Sequence, residues 1–300
     1  MISFDDFDAW GDAVSGAHLR LTCDSVEHRR WTLARLELGD VVLQVAAEGG
    51  GNLCYGANIH PGPTLFVPLT HAERHVANGA ALDADSLFVI PQGADFSIRV
   101  RHRAHAWCAI ALPADTPGAP QPAAGSRNWR CPPGTAAALR GLAQRIAAEL
   151  GSRSERTAAH AAAGAELAAA AAACLAVSPP SRRAPGRPRL DRPAIIRRAM
   201  AAIETGPIMP PATALARAIG VTDRTLLRAF RETFDTPPKR YLMLRELHGI
   251  RRSLLAGGPG RTTVADILTR HGIWEFGRFA GRYRAHFGEL PSQTLARGRA

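Results

Sequence analysis

One lysine, Lys239, stands in a chain of 300 residues that carries 37 basic ones; all the others are arginine. Two readings fit that scarcity: a GC-rich coding bias, and a preference for the planar guanidinium that grips phosphate and guanine through paired hydrogen bonds. Cysteine is also sparse. The five residues Cys23, Cys54, Cys108, Cys131 and Cys174 are scattered and form no C-x-x-C pair. Their odd number argues against a disulfide framework, and a reduced, cytoplasmic setting is expected. The longest apolar run, 168–177, is too short to cross a bilayer, so no membrane association is expected. The acidic start, 1–8, lacks a signal-peptide pattern. There is no P-loop, dinucleotide fingerprint, nucleophile elbow or H-E-x-x-H, so the commonest phosphoryl-transfer, redox, acyl-transfer and zinc-protease signatures are all missing. An enzyme is not expected.

Charge is unevenly distributed. Residues 181–300 carry 23 basic and 9 acidic side chains, a net +14, whereas residues 1–180 carry 14 and 17, a net −3. A basic end joined to a slightly acidic remainder points to a nucleic-acid-binding segment attached to something else.

Up to about residue 115 the pattern is mostly β. Short apolar or alternating runs at 33–38, 41–45, 64–69, 86–91, 96–100 and 107–112 are separated by turn residues, which suggests a barrel or jelly roll. The turn chemistry of 82–87 and 91–96 resembles that of cupin-like sensor domains. The expectation is an α+β chain whose residues 1–115 form a mostly-β, cupin-like, effector-sensing barrel. His60, His71, His75, His102 and His105 fall in this region. Spaced histidines of a barrel hold metal in some enzymes, but no carboxylate joins them at ligand spacing. Surface or packing histidines are expected, with no metal and no cofactor.

Residues 113–133 read as a Pro/Gly/Ala linker. Leu139, Leu142, Ile146 and Leu150 mark one face of a helix closed by Gly151 and Ser152, and an alanine-rich helix follows from about 154 to 177. The segment 134–177 is therefore expected to be a helical connector. Its small side chains suit either a dimer contact or packing against the barrel. Residues 178–192 form a basic, proline-rich linker. Within it Gly186-Arg187-Pro188 resembles the core of an AT-hook, which lays arginine into the minor groove; a solvated linker is the alternative.

The remaining segment, 193–300, repeats itself. Leu226, Phe230 and Phe234 recur 53 residues later as Phe279, Tyr283 and Phe287, and Pro238 and Leu242 recur as Pro291 and Leu295 at the same offset. Spacing of i, i+4, i+8 puts each aromatic trio on one helix face. Each trio follows a short helical segment and a glycine turn, Gly220-Val221 and Gly272-Ile273. Short helix, tight turn and second helix are the pattern of a helix-turn-helix, and two copies imply two recognition helices. With Leu226 as zero and about 100° per residue, Phe230 and Phe234 fall at about 40° and 80°. Arg224, Arg228 and Arg231 fall at about 160°, 200° and 140°, on the opposite face. Thr222 is placed to cap the helix. The arginine stripe suits the major groove, where arginine pairs bidentately with guanine; a solvated charged face is the alternative.

The stretch 214–231, and above all 264–292 with its His271-Gly272-Ile273 turn and Gly277-Arg278-Phe279-Ala280, resembles the paired helix-turn-helix motifs of AraC-type (AraC/XylS) transcription regulators. The acidic start and the Gly-Arg-Phe-Ala form of the second motif resemble the branch that contains ethanolamine-operon regulators. The resemblance implies double-stranded DNA as partner, RNA polymerase as a second one, an unidentified small-molecule effector, a possible homodimer and an activating role. It places base contacts at Arg224 and Arg228 and a phosphate contact at Arg231, with Thr225 also among the DNA-binding residues. The second helix departs from the pattern. Gly277 and Gly281 stand where many relatives have longer side chains, leaving Arg278, Arg282 and Arg284 to hold phosphates. Trp274 suits either a thymine methyl or phosphate contact, or a structural role. Two other classes compete: a cupin-type metalloenzyme with a DNA-binding tail, and a nonspecific architectural DNA-binding protein.

Overall fold

The structure is a computed structural model, described over residues 1–101, 103–121, 125–151, 158–176, 191–205, 208–258, 260 and 262–298. It divides into two units, Met1–Arg189 and Leu190–Ala300. His102, the AT-hook-like Gly186-Arg187-Pro188 and nearly all of the 178–192 linker lie outside the described residues.

The first unit holds two antiparallel sheets. One runs β1 (Ile2–Phe4), β3 (Trp31–Leu38), β4 (Val41–Glu48), β11 (His105–Ala111), β6 (Thr64–Pro68), β9 (Ser86–Ile90), β12 (Arg127–Arg130). The other runs β2 (Ala17–Val26), β5 (Gly50–Asn58), β10 (Asp95–Val100), β7 (His75–Ala77), β8 (Ala80–Ala81). A mixed helix-and-sheet architecture fits the expected α+β class, but the expected barrel is not closed: the strands stay in two separate sheets. Side-chain alternation explains how the larger sheet uses both faces. Leu43 and Val45, Leu65 and Val67, Leu87 and Val89, Cys108 and Ile110 point to one side. There they meet Leu139, Leu142 and Ile146 of α2 (Thr135–Leu150) and Leu167 and Ala171 of α3 (Ala158–Leu175). Residues one step out of phase, such as Ala46, Phe66, Phe88 and Trp107, point to the other side and pack with Cys54, Phe96 and Ile98 of the smaller sheet, under α1 (Phe7–Ala13).

The segment expected as a linker, 113–133, contains a strand. β12 pairs with β9 in the register Trp129↔Leu87. Trp129 is buried and donates its indole N–H to the carbonyl of Cys174, 3.1 Å away. An aromatic residue between prolines is weak strand evidence alone; here cross-strand pairing and a buried ring stabilise it.

By length and composition α3 is apolar enough to cross a membrane. Its contacts are those of a core helix. His160, Gly164, Leu167, Ala171 and Cys174 form a buried stripe, and a Cβ added at Gly164 would lie 1.9 Å from the carbonyl oxygen of Leu38. Glycine is required there so that the helix backbone can press against the end of β3.

In the second unit α4 (Arg192–Thr205), α5 (Ala212–Ala218) and α6 (Asp223–Phe234) precede a long helix, α7 (Pro238–Gly257); α8 (Val264–Arg270), α9 (Phe276–Phe287) and α10 (Pro291–Ala296) follow it. Both α7 and α10 begin with the repeated prolines at the first helical position, where the missing N–H costs nothing.

Candidate nucleic-acid interface

The two helix-turn-helix copies share one turn. Gly220 and Gly272 both have positive φ, +69° and +75°, and the next residue reaches back in the same way: Val221 N–H to Ala216 O at 3.0 Å, Ile273 N–H to Leu268 O at 2.9 Å. This is a glycine-closed helix end in which two orphan carbonyls are satisfied. The copies then diverge. Six positions separate Gly220 from Leu226 but seven separate Gly272 from Phe279, so the second motif carries one extra residue between turn and recognition helix. α6 is capped by Thr222, whose Oγ1 accepts from the Thr225 N–H at 3.2 Å. α9 has no side-chain cap; Glu275 occupies that position. The extra residue falls beside Trp274, which is 72% exposed.

Packing fixes which face of each helix is free. Leu226, Phe230 and Phe234 are fully buried, and Phe230 and Phe234 pack on Tyr241 of α7 with ring centroids 5.4 and 4.9 Å apart. In the second copy Phe279, Tyr283 and Phe287 join Leu247, Ile250 and Leu254 of the same α7. Each aromatic contributes about 1.5–3 kcal/mol of burial, so the two recognition helices are anchored to one shared spine. Tyr283 makes a 2.8 Å hydrogen bond with Thr294 of α10, and Thr294 donates to Glu289, which also holds Arg251 and Arg297.

The predicted contact residues are all at the surface or its margin. Arg224, Arg228 and Arg231 are exposed on the free face of α6, and Gly277, Arg278, Gly281, Arg282 and Arg284 are exposed on α9. Thr225 is half-buried, and its hydroxyl oxygen accepts a hydrogen bond from Thr222, 2.9 Å away. No atom lies within 4 Å of a Cβ built at Gly277 or Gly281, so that side of α9 is smooth backbone. Several guanidinium groups are engaged within the protein. Arg228 donates to Glu232 at 2.8 Å, and Glu232 also pairs with Arg192 of α4. The hydrogen bond and charge of Arg228 hold the Glu232 carboxyl below its ordinary range. Arg278 pairs with Glu275 at 3.2 Å, and Arg282 lies over the Phe279 ring, 5.8 Å from its centroid. Sequence reading missed Glu232 as the partner that holds the central arginine; the i, i+4 spacing to Arg228 was the available signal.

The first unit contains a cavity between its sheets, about 740 Å³ with its open mouth included. Its walls are largely apolar, with Phe66, Phe96 and Trp107 among them; Glu48, Asn52 and His105 form a polar end, and Gln44 lies four residues away along β4. The register Glu48↔His105 in the larger sheet brings those two side by side, His105 Nε2 3.3 Å from Glu48 Oε1, both buried. Burial opposes a charge on His105, but the Glu48 carboxylate outweighs it and raises its pKa. His75 packs edge-on to His105, centroids 5.1 Å apart, and burial drives its pKa down to about 3. Among the described residues no group of three or more His, Cys, Asp or Glu is placed to hold a metal ion. Of the four described histidines, His60, His71, His75 and His105, only His105 lines the cavity.

The second unit matches a helix-turn-helix domain family over residues 215–297. Its sequence is similar to that of known regulators: 35% identity over 109 residues to a probable thc operon regulatory protein of Rhodococcus erythropolis, covering 36% of this chain and 33% of that protein. It is 37% identical over 81 residues to a XylDLEGF operon transcriptional activator of Pseudomonas putida, covering 27% and 25%. The matched span is thus a third or less of those relatives' length. Among solved structures, the AraC-like transcriptional activator CuxR aligns over 90% of this chain and 99% of that one at 13% identity, with a TM-score of 0.44. The sequence matches make residues 215–297 of the second unit a helix-turn-helix domain similar to those of operon regulators.

Proposed function

We propose that the whole chain is a sequence-specific transcription regulator, an activator whose first unit senses a small molecule in the cavity between its sheets. The observation that carries this reading is the pair of helix-turn-helix copies anchored on one helix, α7, each with its aromatic face buried and its opposite face free. On α6, Arg224 and Arg228 are placed to read base edges. On α9, Gly277 and Gly281 let backbone approach the groove, while Arg278, Arg282 and Arg284 hold phosphate. Base specificity therefore comes mainly from the first motif. The sandwich, formed by strands up to residue 115 together with β12, the helices of 134–177 and the 178–192 linker serve respectively as sensor, connector and tether. RNA polymerase is the partner an activator requires, and the exposed alanine face of α3 suits a homodimer contact. The basic second unit and the similarity to operon regulators support this reading. Selection of bound fragments from randomised double-stranded DNA by the intact chain tests it. A consensus in which the half facing α6 carries most of the information is expected. A specificity ratio near one identifies an architectural DNA-binding protein instead.

A further inference from the structure

We propose that Cys131 and Cys174 form a reversible redox dithiol, which a hydroperoxide converts to a disulfide tying the last turn of α3 to the segment between β12 and α2. Both are thiols in the structure, and they stand 43 positions apart in the chain. The fold brings them together on the helix-covered side of the larger sheet, away from the cavity. Their side chains are hydrogen-bonded to each other. The backbone that carries each is held as well. Cys131 N–H donates to Asp85 O at 2.9 Å, and Cys174 O accepts from the Trp129 indole at 3.1 Å. The two sulfurs are thus positioned from both sides.

The surroundings suit the anion that thiol oxidation needs. The thiolate is the nucleophile, and a nearby guanidinium stabilises it. Arg140 supplies that group, and its charge acts on both sulfurs. It pairs with no carboxylate among the described residues: Nη2 donates to Ala84 O at 2.6 Å, and Nη1 is buried without a hydrogen-bond partner. The Thr135 hydroxyl, at the start of α2, is within hydrogen-bonding reach of both sulfurs. The hydrogen bond from Cys131, then the Thr135 hydroxyl and the Arg140 charge, lower the pKa of Cys174 to about 7 against the opposing effect of burial. The same thiol–thiol bond raises that of Cys131. The other three cysteines differ. Burial raises their pKa values, to about 12 for Cys108, and the Glu48 carboxylate adds to the rise at Cys23 and Cys54. Access is short: Cys131 is 6% exposed, and its chain neighbours Pro133 and Gly134 lie at the surface, as do Ala173 and Ala176 on either side of Cys174. Cys174 itself is buried, but it stands in the last turn of α3, where a helix frays.

Oxidation takes two steps. The Cys174 thiolate attacks the distal oxygen of the hydroperoxide; an S–O bond forms, the O–O bond breaks, and the departing alkoxide takes a proton and leaves as an alcohol. The Cys131 sulfur then attacks the sulfenic sulfur; the S–S bond forms, the S–O bond breaks, and the departing hydroxide takes the Cys131 proton and leaves as water. Two sulfurs are oxidised and one peroxide is reduced.

The test is exposure of the intact chain to a small excess of hydrogen peroxide, then alkylation of the remaining thiols in denaturant and mass spectrometry of the peptides. A Cys131–Cys174 cross-link should form first, with Cys23, Cys54 and Cys108 still alkylated, and dithiothreitol should reverse it. Its rate should rise about tenfold from pH 6 to pH 8, as the thiolate fraction of a group with a pKa of about 7 does. In Cys131→Ser the cross-link should be lost and dimedone should trap a sulfenic acid on Cys174; if that variant does not fold, the mapping of the native chain decides by itself. No cross-link, a different first pair, or passage of Cys174 to sulfinic acid with Cys131 still reduced overturns the proposal. A rise in rate of about a hundredfold, that of an ordinary thiol, overturns the part played by Thr135 and Arg140.

Discussion

Gly164 and Gly281 both sit inside helices, and helix propensity alone gives alanine an advantage of up to about 1 kcal/mol at each. Their surroundings separate them. At Gly281 an added methyl group meets nothing within 4 Å, so the full gain is available. At Gly164 it would lie 1.9 Å from the Leu38 carbonyl oxygen and 3.1 Å from Leu38 Cβ. Carbon and oxygen settle at about 3.3–3.6 Å, so α3 must retreat by more than an ångström. That retreat loosens Leu167 and Ala171, both fully buried. Overpacking of this kind costs about 1–3 kcal/mol, more than propensity returns. Gly281→Ala should therefore raise the melting temperature of the second unit by up to roughly 4–8 °C, and Gly164→Ala should lower that of the first. Scanning calorimetry of the intact protein reads both. On the bound side, Gly281→Ala should weaken operator binding while it stabilises the fold, because the methyl group occupies the space through which backbone approaches the groove. Shifts of the same sign in both variants refute the argument from Cβ surroundings. A stabilised Gly281→Ala that binds DNA undiminished refutes the close approach.

Arg228→Ala should relax preference at one or two base pairs at a cost of about 1–3 kcal/mol, whereas Arg284→Ala should weaken all sequences alike and reduce the salt slope by about one; both are read by titrating matched and scrambled duplexes across salt concentrations. Glu232→Gln should tighten nonspecific binding at low salt, since it releases Arg192 and Arg228 from an internal carboxylate; unchanged affinity for scrambled duplex would show that the pairing does not restrain either arginine. Tyr283→Phe should cost about 1 kcal/mol in chemical denaturation through loss of the Thr294 hydrogen bond, and an unchanged midpoint contradicts that. His75 has a folded pKa depressed to about 3 from 6.5, so its stabilising contribution is present above pH 6.5 and is lost as pH falls toward 3. His105, with a raised pKa, contributes in the opposite sense. Against His75→Leu, the native chain should lose about 2 kcal/mol more stability between pH 7.5 and 5; parallel pH profiles for the two would contradict the assignment.

Much of the architecture was written in periodicity. The two aromatic trios fixed the buried faces of α6 and α9, and with them the free faces that carry Arg224, Arg228 and Gly281. The apolar runs marked β3, β4, β6, β9, β10 and β11. β5 was not legible, because Gly50, Gly51, Asn52 and Gly56 interrupt any apolar alternation. Its glycines instead admit a close neighbour: a Cβ at Gly50 would lie 1.9 Å from Ser25 O, and one at Gly56 2.6 Å from His18 O, both on β2. The polar end of the cavity was hidden for a different reason. Glu48 and His105 are far apart in sequence and meet only through the β4–β11 register. Closure of the barrel was misjudged because short alternating strands describe a two-sheet sandwich equally well; the choice rests on long-range pairing that periodicity does not encode.

The carboxylate of Glu232, shared between Arg192 and Arg228, gives α6 an anion of its own. Under the proposed docking of α6 on DNA, binding would exchange one anion for another at the same guanidinium. Exchange of that kind runs in both directions. A helix that can return to its own carboxylate as it leaves a phosphate has a partner waiting on the exit path, which shortens its stay on wrong sequences. It also lowers the appeal of polyanions such as RNA or heparin, which supply charge without the base edges that compensate for giving up Glu232.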